Sequence, residues 1–243
     1  EGGSIASIAA SIAGAFDIGE PARPRTRLPP LRADLIDPSF IGDSRVVVLL
    51  ALDGLGSHTL ETALQAGHWT AIGTPHHRAT LTSVFPPTTA AALTSLQNGV
   101  SAGTHGMAGY TLFLAEQQCV VNMITWKPTG GVEPVAPLPE PKSFPRGGSF
   151  YRDLLNPGIE STHISRYNFA GTALTEAQAS GVPFIGYRTL AEMTKLIRNH
   201  TARPGKRFIF SYWDGFDALA HTFGPESDAC ILQQRLIDIA LSE

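Results

Sequence analysis

The chain has 243 residues, 43% of them hydrophobic and 16% charged, enough to bury a sizeable core in one large domain. A formal net charge of -3, with no cluster of Lys and Arg, argues against a nucleic-acid surface held mainly by phosphate contacts. Cys119 and Cys230 lie far apart and form no C-x-x-C unit, so neither a disulfide framework nor a zinc knuckle is indicated. No apolar run reaches the roughly 18 to 20 residues of a membrane span, and a cytoplasmic location is expected.

Along the chain, Ile5, Ile8, Ile12 and Phe16 make the apolar stripe of a short helix. They are not read as a secretory h-region, because nothing basic precedes them and the first cation is Arg23. A Pro/Arg-rich connector from Pro21 to Arg32 leads into Val46 to Leu52, a continuous apolar run that reads as a strand buried on both faces. Asp53-Gly54-Leu55-Gly56 ends it. The pattern then predicts a helix from about His58 to Gln65, a strand from Ala79 to Phe85, a turn at Pro86-Pro87 and a helix from about Ala90 to Gln97. Further strands are predicted at Tyr110 to Leu114, Val120 to Trp126, His163 to Tyr167, Phe184 to Tyr187 and Phe208 to Trp213. Helices are predicted near Tyr151 to Leu155, Leu190 to His200 and Cys230 to Leu241. This alternation implies an α/β fold of three layers, α/β/α, around a largely parallel sheet. Pro128 to Gly148, rich in Pro and Gly, reads as a surface excursion, either a lid or the root of an inserted subdomain. The last apolar stripe, Leu232, Leu236, Ile239 and Ala240, runs to Glu243 without a stop signal, and the chain begins without Met. The expectation is the N-terminal portion, residues 1–243, of one catalytic domain that continues further.

Three constellations could carry chemistry. Asp53 stands where a buried strand gives way to a Gly-flanked loop, and ligands of open α/β sheets bind at the carboxyl ends of strands. An acid there can hold a metal, or can merely cap a turn. Phe85-Pro86-Pro87-Thr88-Thr89 delivers a hydroxyl to a helix start, where free N–H groups and the helix dipole would hold a phosphate against it. Thr88 or Thr89 could equally be an ordinary N-cap. Asp217 and His221, four apart, lie on one side of a helical turn and could face one cation, though such a pair is more often a surface hydrogen bond. His58, His68, His76, His77, His163 and His200 read as structural or solvated. Neither a G-x-S-x-G elbow nor a G-x-x-x-x-G-K-[ST] loop occurs, which disfavours a Ser-His-Asp hydrolase and a P-loop nucleotide hydrolase.

Taken together, Val47 to Gly56, Phe85 to Gly99 with Ser101 to Tyr110, and Tyr212 to Pro225 resemble the alkaline phosphatase superfamily, closest to its type I phosphodiesterase/nucleotide pyrophosphatase family. The order carries the resemblance: an Asp-Gly loop, then F-P-x-x-T, then G-x-x-x-x-x-H-G, then Y-x-x-x-x-D-x-x-x-H-x-x-G-P. It implies Thr89 as nucleophile, Asp53 and Thr89 on one metal, and Asp217 and His221 on the other. It also implies two divalent metal ions, with zinc (Zn2+) expected, makes Tyr212 a substrate-binding residue and leaves His105-Gly106 structural. Two departures stand out. Many relatives carry an Asn where this chain has Tyr110, and relatives continue with an Asp-His pair and a later His, whereas no His follows His221 here.

The reading is a metal-dependent phosphodiester or nucleotide pyrophosphate hydrolase acting through a phospho-threonine intermediate on a small phosphorylated substrate, a nucleotide among the candidates. The alternatives are a phosphomonoesterase, phosphonate hydrolase or phosphomutase of the same superfamily, or an inactive binding-only fragment that lacks downstream metal ligands. A sulfatase fits less well, because that branch needs a Cys or Ser where Thr89 stands.

Overall fold

The computed structural model describes residues 2–18, 28–37, 41–42, 44–70, 78–155 and 158–242. The Pro21 to Arg32 connector falls partly outside these residues, and His76 and His77 fall wholly outside them. In chain order the elements are α1 (Ile8–Ala15), β1 (Val46–Leu52), α2 (Ser57–Gln65), α3 (Thr89–Asn98) and α4 (Ala102–His105). Next come β2 (Thr111–Leu114), β3 (Cys119–Asn122), β4 (Lys127–Pro128), α5 (Phe150–Leu155) and β5 (Glu160–Arg166). The last are α6 (Ala173–Ala179), β6 (Phe184–Tyr187), α7 (Leu190–Thr201), β7 (Arg207–Trp213), α8 (Gly215–Phe223) and α9 (Asp228–Ser242).

Four strands pair in parallel in the order β1-β7-β5-β6. Strand β7 is buried along its whole length, as a central strand covered on both faces must be. Its side chains alternate between the two covers. Phe208, Phe210 and Tyr212 pack with Ile12 of α1, Leu96 of α3 and Phe150 of α5, while Ile209 and Trp213 pack with Ala63 of α2, Met193 of α7 and Ile237 of α9. Helices therefore flank a parallel sheet on both sides, the layered α/β arrangement the alternating pattern implies. The N-terminal stripe also behaves as read: Ile12 and Phe16 are buried, with Ile5 and Ile8 packed against the same cluster.

The structure departs from the sequence reading in several places. Strand β1, expected to be buried on both faces, stands at one end of the four described parallel strands and is only half-buried, with Val48 exposed, because helices cover the sheet less fully there than over β7. No strand forms at Ala79 to Phe85; Thr82 alone makes an isolated parallel bridge, to Ser4. That segment keeps Ala79 and Phe85 in solvent, so sheet pairing would bury little apolar surface, and Pro86-Pro87 offers no N–H to a ladder. Strands β2, β3 and β4 stand apart as an antiparallel sheet, because the few residues between Leu114 and Cys119 can join only antiparallel neighbours. Strand β3 stops at Asn122 rather than Trp126, since Asn122 Oδ1 accepts from the Ile124 and Thr125 N–H groups at 2.9 and 3.0 Å and turns the chain. Strand β5 starts at Glu160, ahead of the predicted His163, because its buried Ser161 and Thr162 hide the strand from an apolar pattern.

The Pro/Gly-rich excursion is tied to the small sheet. Trp126 donates its indole N–H to the Pro139 carbonyl at 2.8 Å and meets Phe144 edge to face, with ring centroids 5.2 Å apart. Among the described residues no helix is long and apolar enough to cross a membrane.

Candidate active site

The site forms at the carboxyl ends of β1 and β7, where a parallel sheet binds its ligands. The Asp53 N–H donates to the Trp213 carbonyl at 2.9 Å, extending the β1/β7 ladder one step and fixing the loop that follows. Gly54 then turns with φ +74°. A Cβ on it would lie 3.0 Å from Asp217 Cα and 3.1 Å from Asp217 Oδ1, so the absent side chain is what lets the first turn of α8 approach the Asp53 loop. Gly215 has a similar task, since a Cβ there would run into the Trp213 indole at 2.7 Å.

At the start of α3 the two threonines divide the work. Thr88 is the N-cap, with an extended backbone and a hydroxyl that accepts from the Ala91 N–H at 3.5 Å. Thr89, the first helical residue, is spared that task. Its Oγ1 donates to Asp53 Oδ2 at 3.3 Å. The same carboxylate oxygen accepts from the Tyr212 hydroxyl at 2.5 Å. Burial, and then the charge of Asp53, push the Tyr212 phenol far above its ordinary range, so it stays a donor.

Asp217 and Asp214 complete an acidic edge. Burial raises the Asp217 carboxyl above the usual carboxylate range and the charge of Asp53 raises it further, against a smaller opposing pull from His221. His221 Nε2 lies 3.5 Å from Asp217 Oδ1, on a side chain 81% exposed against 31% for the acid, so it sits on the rim. Asp214 is also raised by burial, while Arg166 at the end of β5 pulls the other way through a 2.7 Å contact between its Nε and Asp214 Oδ1. Arg166 in turn lies over the Trp213 ring, 5.5 Å from its centroid.

The four residues singled out from sequence as metal ligands are thus linked around one sheet edge, with Tyr212 bonded to the same acid. Among the described residues no three His, Cys, Asp or Glu side chains gather closely enough to form a metal-holding group by themselves. The donors present are carboxylates, a hydroxyl and an imidazole, types that suit a divalent cation. Burial first, and the neighbouring charge of Asp53 second, raise the proton affinity of Asp217, and two acids placed side by side in this way suit a cation bound between them.

The other histidines separate by environment. His105 is buried; its Nδ1 accepts from the Met107 N–H at 2.9 Å, which puts the ring proton on Nε2, 2.8 Å from Ser95 Oγ. It pins α4 to α3, in keeping with a structural role. His58 is exposed on α2, and His200 contacts the Leu196 carbonyl at 2.8 Å. Tyr110, at the position where relatives carry Asn, is 51% exposed.

Sequence reasoning missed a cavity of about 200 Å³ that opens at Asp53 and Thr89 and runs back between α3, α6 and the sheet. Gln97, His163 and Gln178 line it beside Leu93, Phe169 and Phe210. It also missed Asp214, which carries the same signal as Asp53: an acid directly after a buried strand.

A family model described as type I phosphodiesterase/nucleotide pyrophosphatase matches residues 47–243. Two solved structures of phosphonoacetate hydrolase from Sinorhizobium meliloti 1021 share the fold. One, in complex with phosphonoformate, is 16% identical with a TM-score of 0.56; the other, in complex with phosphonoacetate, is 15% identical with a TM-score of 0.54. Each match covers 82% of this chain and 52% of the other, so the chain spans about half the length of these relatives. No curated protein matches. With most of its length inside the family model and the motif residues gathered at one sheet edge, the chain belongs to the type I phosphodiesterase/nucleotide pyrophosphatase family of the alkaline phosphatase superfamily.

Proposed function

We propose that this chain carries the nucleophile and part of the metal site of a phosphodiester hydrolase that works through a phospho-threonine intermediate. The observation that carries the reading is the Thr89 hydroxyl, released from capping by Thr88 and donated to Asp53 Oδ2 at 3.3 Å. Asp53 with Thr89 would hold one divalent ion, zinc by the donor types, and Asp217 with His221 the other. When bound, the ions supply acidity for the Thr89 hydroxyl and neutralise charge on the transferring group.

Thr89 Oγ attacks phosphorus in line, the ester oxygen leaves on the far side, and water then hydrolyses the phosphothreonine. Asp53 Oδ2 accepts the hydroxyl hydrogen bond of the attacking group, and the Tyr212 O–H on the same oxygen fixes that carboxylate in position. The N–H groups of the first turn of α3 face the phosphoryl oxygens. A small phosphorylated molecule is the substrate class, nucleotides included. The fold shared with an enzyme that is named for phosphonoacetate and was solved with that ligand supports a second reading, hydrolysis of a phosphonate. Hydrolysis of a 4-nitrophenyl phosphodiester with zinc present, set against 4-nitrophenyl phosphate and phosphonoacetate, separates the readings. Activity that survives Thr89→Ala contradicts all of them.

A further inference from the structure

The cavity behind Thr89 has a built floor. Four buried side chains pass hydrogen bonds in one direction: Tyr151 donates its hydroxyl to Gln97 Oε1 at 3.1 Å, Gln97 Nε2 donates to Gln178 Oε1 at 3.0 Å, and Gln178 Nε2 donates to Thr94 Oγ1 at 3.2 Å. His163 Nδ1 lies 3.5 Å from the Tyr151 oxygen. Because Tyr151 spends its only proton on Gln97, its oxygen faces His163 as an acceptor, which places the imidazole proton on Nδ1 and leaves Nε2 a lone pair. Each Gln amide keeps a second N–H beyond the one used in the chain. The floor therefore offers both donors and an acceptor, from residues at most 3% exposed.

Direction decides what can occupy the space. Thr89, Leu93 and Gln97 are spaced by four on α3 and share a face, so the cavity runs from the nucleophile toward the far end of its own helix. In-line displacement puts the departing oxygen opposite the attacking one. A group lying on the Thr89 side is hence not the leaving group but a substituent that stays on phosphorus. Volume and charge narrow it further. At about 200 Å³ the cavity is smaller than the roughly 300 to 1,000 Å³ of drug-sized sites. No Lys or Arg lines it among the described residues, and burial keeps the His163 ring neutral, its pKa lowered to about 4.

We propose that this cavity binds the retained substituent of a phosphodiester, and that the substituent is small, uncharged and hydroxylated, read by Gln97, Gln178 and His163. The proposal rests on the phosphodiesterase reading and makes Gln97 and Gln178 specificity-determining residues. A second anionic group is disfavoured, because nothing cationic meets it there. An alkyl group of the same size leaves the amides unpaired, which is the stronger form of discrimination.

The test is isothermal titration, with zinc chloride present, of two diesters that share a 4-nitrophenyl leaving group. One carries a 2,3-dihydroxypropyl substituent and the other a propyl substituent, with inorganic phosphate as the probe of the phosphoryl site. The dihydroxypropyl diester is expected to bind at least tenfold tighter than the propyl diester. Gln97→Met and Gln178→Met should each reduce that ratio to near one while inorganic phosphate still binds, which shows that the variant is folded. Equal binding of both diesters while inorganic phosphate still binds overturns the cavity proposal alone. Failure of inorganic phosphate and both diesters to bind overturns the phosphoryl-transfer reading and the proposal with it.

Discussion

Thr89 Oγ1 lies 3.3 Å from Asp53 Oδ2 although 36 positions separate the two residues in sequence. The neighbouring Thr88, alike in composition, faces the other way and caps the helix. Thr88→Ala should therefore lower stability by about 1 kcal/mol, the usual value of an N-cap, and leave turnover of a phosphodiester within a few-fold of the natural chain. Urea unfolding together with initial rates checks both halves. A large loss of turnover at full stability would mean that the roles of the two threonines are exchanged.

Gly54 is the second pressure point. Its positive φ and the 3.0 Å approach of Asp217 leave no room for a Cβ, so Gly54→Ala should cost about 1 to 3 kcal/mol. The more telling effect is on function, because separating Asp217 from Asp53 should weaken zinc binding at least tenfold. Zinc titration of the folded variant reads this directly; unchanged affinity would show that the two acids do not act together.

In metal-free protein Asp217 is held against burial and the charge of Asp53. Asp217→Asn removes that repulsion. Thermal melts in chelator should show the variant at or slightly above the natural chain, whereas zinc should raise the natural chain's Tm more than the variant's. A zinc response that is the same in both proteins would remove Asp217 from the metal site.

His105 and His163 give the chain an acid-sensitive core. Burial lowers each ring to about 4 from an ordinary 6.5, so the unfolded chain takes up these protons first. The stabilisation is whole above pH 6.5 and is lost as pH falls toward 4, by up to about 1.4 kcal/mol per pH unit for each ring. Urea unfolding at pH 7.5, 5.5 and 4.5 should show this decline, and His105→Gln should make it shallower. A flat profile would mean that the rings are hydrated in the folded chain.

How far the site was legible follows from the kind of signal each residue gives. Val46–Leu52 and Arg207–Trp213 are read almost to the residue because each is a continuous apolar run, although only β7, inside the sheet, is buried along its length and β1, at its end, is half-buried. Asp53, Thr89 and Asp217 are legible as candidates because each follows a strand or lies in the first turn of a helix, and His221 because it stands four residues after Asp217, in a pattern that resembles a family. Gln97, His163 and Gln178 gave no such sign. They lie on three different elements, and only the packing of α3 and α6 on the sheet brings them into one chain of hydrogen bonds. Ala79 to Phe85 misled for the opposite reason: its local pattern suits a strand, yet among the described residues its pairing is limited to the single bridge between Thr82 and Ser4.

The central claim is that Thr89 takes the phosphoryl group. The direct measurement is to incubate the chain with zinc and bis(4-nitrophenyl) phosphate, quench in acid, and locate added phosphoryl mass by peptide mapping. The account predicts modification on Thr89 in the natural chain, with none on any peptide of Thr89→Ala. Release of 4-nitrophenol with no modified threonine, or with the modification on Thr88, would contradict it.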